Sequence, residues 1–214
     1  METRCATCGV EACSDEPGTR SYPSFCPMSE QPSALTEARA AYQDPQTRHL
    51  AQAAARTEAA GYCQETRVEE IMTLARHLGV DRIGVAFCVG LHREARLFHQ
   101  ILEANGFDIV SVACKVGSIP KEEIGLADAE KIRPGQFEAL CSPIGQAKLL
   151  NEAETGLNVV VGLCVGHDSL FFQHSSAPVT VLVAKDRVTG HNPAAALYTS
   201  HSYYRRLRSP DRQG

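Results

Sequence analysis

The chain is 214 residues long, 43% hydrophobic and 21% charged, with a formal net charge of -4, enough apolar material for one ordinary domain plus a small appendage. The negative balance gives no general attraction to nucleic acid or anionic lipid, although Arg205-Arg206-Leu207-Arg208 is locally basic. No apolar leader opens the sequence and no run nears the ~18–20 apolar residues of a membrane span, so a cytoplasmic location is expected, with neither nucleic acid nor membrane as partner.

Residues 1–30 are polar, rich in Gly, Pro and Ser, and cannot build a core; they need a staple. Four cysteines offer one. Cys5, Cys8, Cys13 and Cys26 follow the pattern C-x2-C-x4-C-x12-C, with Pro27 next, and a two-residue gap lets consecutive thiolates face one ion while the chain turns at Gly9. Ligand bonds then replace the missing core, at about 10–16 kcal/mol for structural zinc in small peptides. A Cys-Pro ending also occurs in bacterial ferredoxin runs of tighter spacing, so zinc and a 4Fe–4S cluster both stay open. The bland alternative is a tail with incidental thiols.

Residues 31–62 turn to Ala, Gln, Glu and Arg and read as a helical connector, with Asp44-Pro45 as an N-cap and first helical residue. Cys63 follows, either inert or an exchangeable ligand. Thr66-Arg67-Val68-Glu69 has the spacing of a capping box, and Val68, Ile71, Met72 and Leu74 share one helical face up to about His77, before Gly79.

Beyond Gly79, short β-branched runs alternate with helical stretches, the pattern of βαβ units. Strands are predicted at Arg82–Cys88, Asp108–Cys114, Asn158–Cys164 and Val179–Lys185. Helices are predicted from Leu91 to Asn105, from Ile144 to about Thr155 and from Pro193 to about Leu207, and the irregular, charged stretch from Lys115 to Leu140 reads as an insertion or lid. The expected fold is α/β: a Rossmann-like, mainly parallel sheet with flanking helices over residues 63–208, preceded by the small Cys-rich metal-binding module and followed by a tail at 209–214.

Nine cysteines need a use, since a reducing cytosol keeps thiols free and an odd number forbids complete pairing. Clustered spacing favours ligation. Cys88, Cys114 and Cys164 end three predicted strands, so they would share the rim at the strands' carboxyl ends, where ligands bind in such sheets. Cys141, just before Ser142-Pro143 and a helix start, would sit near a positive helix end and complete a set of four. Val-Gly follows Cys88 and Cys164 directly, and Val116-Gly117 lies just past Cys114, which would let backbone approach a bulky inorganic group. The alternative is four small buried hydrophobes at strand ends.

His167, Asp168, Lys185, Arg187 and His191 fall on the same rim and are the candidates for handling a small anionic substrate and a proton. Their structural alternatives are a helix N-cap at His167 and Asp168 and ordinary surface pairing of Lys185 and Arg187 with Asp186. Gly-x-Gly-x-x-Gly, Walker A, Gly-x-Ser-x-Gly and His-Glu-x-x-His motifs do not occur, which removes those enzyme classes.

The stretches FCVGLHREA, CSPIGQAKLLNEAETGLNVVVGLCVGHDSLF and APVTVLVAKDRVTGHNPAAALY resemble an uncharacterised prokaryotic family, domain of unknown function 1847. The resemblance extends along essentially the whole chain, CATCGVEAC included, and implies metal binding through the matching cysteines without implying a reaction. The expectation is therefore an iron–sulfur protein. A 4Fe–4S cluster would lie at Cys88, Cys114, Cys141 and Cys164, and a second cluster or zinc at Cys5, Cys8, Cys13 and Cys26. It would act in electron transfer with a redox partner protein, or as an oxidoreductase in redox or sulfur chemistry on a small anion. The competing class is a non-enzymatic zinc-binding structural or interaction protein. A thiol-redox enzyme cycling Cys5 and Cys8 lacks the βαβ context such a pair requires.

Overall fold

The computed structural model of the chain describes residues 3–30 and 33–209, which divide into two compact units, one up to Arg56 and one from Thr57. The first holds 3-10 turns at Cys5–Thr7 and Ala12–Ser14, then helices α1 (Pro27–Glu30), α2 (Ser33–Ala41) and most of α3 (Pro45–Gly61). Asp44 caps α3 by accepting the Thr47 N–H at 2.8 Å, as the Asp-Pro pair predicts. Among its described apolar residues only Ala12, Cys26 and Ala53 are buried, so hydrophobic burial contributes little here. The division between the units falls inside α3 rather than at its end.

The second unit runs α4 (Arg67–Leu78), β1 (Arg82–Phe87), a 3-10 turn Val89–Leu91, α5 (His92–Ala104) and β2 (Asp108–Ala113). After an insertion come α6 (Pro143–Glu152), β3 (Leu157–Val161), α7 (His167–His174), β4 (Val179–Val183), α8 (Ala194–Tyr198) and a 3-10 turn Arg205–Arg208. The strands form one fully parallel sheet in the order β2-β1-β3-β4, the expected Rossmann-like architecture. β1 and β3 are central and nearly all buried, whereas β2 and β4 form the edges and are only partly covered. Successive β1 residues alternate between faces: Phe87 meets His92 of α5, while Gly84 lies under Leu150 of α6. Helices α5 and α6 thus cover opposite faces.

The α4 capping box forms as its spacing predicts: the Thr66 hydroxyl accepts the Glu69 N–H, the Glu69 carboxylate accepts the Thr66 N–H, and Gly79 ends the helix at φ 68°. Thr66→Ala should cost about 1 kcal/mol, read as a lower urea midpoint at unchanged slope. Arg67 donates to the Val181 carbonyl at 3.2 Å and to Thr180 Oγ1 at 2.8 Å, tying this helix to the β4 edge.

Three expected boundaries shift for local reasons. β3 stops at Val161, three residues short of Cys164, because Gly162 turns at φ 65° and the Leu91 side chain fills the space a Cβ would need. β4 stops at Val183, before Lys185. The long C-terminal helix is only α8, because Thr199 and Ser202 bond back to the carbonyls of Ala195 and Thr199 and break the run into turns. No helix among the described residues is long and apolar enough to cross a membrane.

Candidate metal centres

In the first unit the turn at Cys5–Thr7 is closed by the Cys8 N–H donating to the Cys5 carbonyl at 3.0 Å. Glu11 adopts a left-handed conformation at φ 51°, and its N–H donates to Cys8 Sγ at 3.5 Å. Cys5, Cys8, Cys13 and Cys26, scattered over 22 positions of sequence, all line a single cavity of about 70 Å³, with Tyr22 and Phe25 completing its wall.

The second group forms at the carboxyl rim of the sheet. Cys88 follows β1 and Cys114 follows β2; both are buried, while Cys141 and Cys164 are half-buried. Cys141 reaches the rim because the Ser142 N–H donates to the Cys114 carbonyl at 2.7 Å. Cys114 influences the ionisation of both Cys88 and Cys141. Cys88 is lowered to about 4, first by the Cys114 hydrogen bond, against burial, and then by Lys185. Cys141 is lowered to about 5, first by Cys114, against burial, and then by Lys115 and His167. The shared proton stays on Cys114, whose own thiol is pushed up by Cys141, Cys88 and burial.

Cations converge on these sulfurs. Lys185 Nζ donates to Cys88 Sγ and Arg187 Nη2 to Cys164 Sγ, each at 3.1 Å, and the Val89 N–H donates to Cys114 Sγ at 3.5 Å. Gly90 makes the Lys185 approach feasible, since a Cβ there would lie 3.2 Å from its Nζ. Gly117 and Gly166, by contrast, serve as left-handed turns at φ 86° and 83°. A cleft of about 400 Å³ opens beside the sulfurs, sharing Val89 and Lys115 with them and bounded by Arg133 and Phe137.

His167 joins the site: it contributes to lowering Cys141, and its Nδ1 is buried without a hydrogen-bond partner. Asp168 does not, since its carboxylate accepts the following Ser169 N–H. His191 acts at one remove. Its Nδ1 accepts the Asp186 N–H at 3.1 Å and its own N–H donates to the Asp186 carbonyl at 2.7 Å, closing the loop that presents Lys185 and Arg187. Cys63 is exposed in a left-handed turn after α3.

Lys115 was not legible as a site residue, whereas Gln146 stands beside the rim as one of two residues, with Asn151, that the sequence offers as lining. Lys115 is marked only by following Cys114. Gln146 is fully buried, clamps the ends of β1 and β2 by donating to the Phe87 and Val112 carbonyls, and leaves its Oε1 buried without a partner.

Among the described residues, no group of three or more His, Cys, Asp or Glu side chains is placed so that it could hold a metal ion. Neighbouring thiols favour deprotonation, N–H groups and cations point at sulfur, and an unpartnered buried nitrogen stands beside them.

Residues 26–182 match the model of the family described as protein of unknown function, DUF1847. The span includes Cys26 and all four rim cysteines, with Cys5, Cys8 and Cys13 outside it. The chain is also 43% identical over 166 residues to an uncharacterised protein of Methanocaldococcus jannaschii, covering 78% of this chain and 83% of that relative. No solved structure matches it.

Proposed function

From the premise that this chain belongs to the DUF1847 family of unknown function, we propose that it is a cysteine-ligated metal protein with an iron–sulfur centre at the sheet rim. Cys88, Cys114, Cys141 and Cys164 would hold that centre. The observation that carries the reading is the convergence of donors on the rim sulfurs: Lys185 Nζ on Cys88, Arg187 Nη2 on Cys164 and the Val89 N–H on Cys114. Adjacent thiolates repel one another, so gathering them at one lip makes physical sense where a multinuclear cation neutralises them. A closed four-thiolate zinc site serves structure, and this edge is already held by the β1–β2 ladder and the Gln146 clamp.

An iron–sulfur centre supplies one-electron transfer, and with an accessible iron also substrate activation. Around it, Lys185 and Arg187 would orient a small anion and His167 would exchange a proton, with His191 bracing their loop and Asp168 beside the α7 start. The role is electron transfer with a redox partner, or redox or sulfur chemistry on that anion. Metal analysis and a visible spectrum of protein purified without oxygen test this: several irons per chain and broad visible absorbance are expected. A colourless protein holding zinc alone would discard it.

A zinc-binding structural role is favoured at the first unit by its scarcity of core and by the four cysteines lining one small cavity; a second 4Fe–4S cluster is the other occupant that donor set accepts. Either metal would hold that unit together. Chelation should therefore expose the segment around Cys5–Cys26 to protease at least ~10-fold faster while the sheet stays intact, as limited proteolysis with mass spectrometry would read. Equal cleavage with and without metal would remove the staple.

A further inference from the structure

Independently of the sheet rim, we propose that the C-terminal stretch from Tyr198 to Arg208 is a binding surface for single-stranded nucleic acid. The overall charge of -4 argues against such a partner, but that charge is unevenly spread. Residues 187–210 contain four arginines and no aspartate or glutamate. At physiological salt, charges more than about 8 Å apart are largely screened from one another. A phosphate arriving at this stretch therefore meets its arginines rather than the distant carboxylates.

The fold gathers these residues. The Thr199 carbonyl accepts the Ser202 N–H at 3.0 Å and the Tyr204 N–H at 3.1 Å, which turns the chain back at the end of α8. Arg208 Nε then donates to Oγ of the buried Ser200 at 3.1 Å, fixing the Arg205–Arg208 turn beside the segment that carries Tyr198. Among the described residues, none of Arg205, Arg206 and Arg208 forms an ion pair. Three guanidinium groups without a carboxylate partner thus share one small surface.

Aromatic rings accompany the charge. Tyr203 is 87% exposed and Tyr198 76%, and the Arg206 guanidinium lies 4.9 Å from the Tyr204 ring centroid. Tyrosine rings and guanidinium planes are platforms on which unpaired bases stack, while arginine pairs with phosphate. A duplex keeps its bases away from such rings, and α8, at five residues, is too short to read a major groove. A lipid surface calls for a helix with one continuous apolar face, whereas arginines and tyrosines follow one another here in short turns. An acidic protein segment would engage the arginines but offers the rings no flat face.

The test is fluorescence anisotropy of a labelled oligouridylate of about ten nucleotides, titrated with the full chain at several salt concentrations. Binding is expected with a dissociation constant of about 1–100 µM and a log–log salt slope of about -2 for three phosphate contacts on a single strand. Tyr203→Ala should weaken it about 10-fold, and Arg205→Gln should make the slope shallower by about 0.7, with the parent's circular dichroism retained. Arg93→Gln, at an exposed arginine of α5, should bind like the parent. The chain has no tryptophan, so its tyrosine emission should be quenched as the strand binds, a readout that needs no variant. Absence of binding at about 200 µM chain, tighter binding of duplex RNA, unquenched emission, or equal loss in Arg93→Gln and Tyr203→Ala overturns the proposal. Displacement of the strand by polyglutamate of equal charge, or by phosphatidylserine vesicles, assigns the surface to an acidic protein or a membrane and overturns it as well. None of these readouts needs metal, so failure here leaves the iron–sulfur reading to its own test.

Discussion

Cys114→Ala should strip the rim of iron and, in metal-free protein, reduce the thiolate absorbance that Cys88 and Cys141 contribute near neutral pH. Cys114 is the leading cause of lowering at each neighbour, ahead of Lys185 at Cys88 and ahead of Lys115 and His167 at Cys141, and its one S–H serves one of them at a time. Without that donor, burial is opposed only by the cations and the backbone amide at Gly90, so both thiols move back up toward the ordinary value of 9.0. The sign is fixed by the chemistry: a lowered thiol is thiolate above about 5, so raising it converts anion to neutral SH at pH 6–7. An ultraviolet thiolate titration of the apo chain should therefore show an acidic step in the parent that is smaller in the variant. Lys185→Gln should move the Cys88 step in the same direction by less. An unaltered acidic step in Cys114→Ala would mean that Cys114 does not set these groups.

The largest effect on the fold is expected at Gly84, in the middle of β1. A Cβ there would stand 2.0 Å from Asn158 Oδ1 and 3.0 Å from Leu150 Cδ1. Asn158 is fully buried on β3; its Oδ1 accepts from Thr155 Oγ1 at 2.8 Å and its amide donates to Ser175 Oγ at 2.8 Å. Gly84→Ala must push Asn158 aside, combining overpacking with broken buried hydrogen bonds, for about 3 kcal/mol or more. In a chain of this size that lowers the midpoint by roughly 6–12 °C, as differential scanning calorimetry would show. A shift smaller than the one Thr66→Ala produces would mean that Asn158 can move freely, against its burial and bonding. Because Cys88 directly follows this strand, the variant should also load less iron.

The parts of this structure legible in sequence are those set by local chemistry. β-branched runs ending in cysteine mark the strands and hence the rim, and Thr66 with Glu69 and Asp44 with Pro45 mark two helix starts that form as read. What sequence could not supply is set by contacts between distant segments. Cys141 and Gln146 were both placed near the rim from sequence, but the Ser142 bond to the Cys114 carbonyl that holds the one and the two strand-end carbonyls that the other clamps were not readable. His191 reads as a rim group but spends its Nδ1 on its own loop. The inequality of Cys164 is the instructive case. Three strands read as ending alike in cysteine, yet Gly162 turns one of them early because Leu91 packs where its side chain would be. Gly162 was visible in the sequence, but nothing local announced which neighbour would make its left-handed turn necessary.

The most direct test of the rim centre compares the parent with a Cys88→Ala, Cys114→Ala, Cys141→Ala triple variant that keeps all four N-terminal cysteines. Both are reconstituted without oxygen, and iron and acid-labile sulfide are counted per chain. The parent should carry iron and sulfide that the folded triple variant lacks, with a matching difference in visible absorbance. Equal iron and sulfide in the two proteins would contradict a cluster at the ends of these strands.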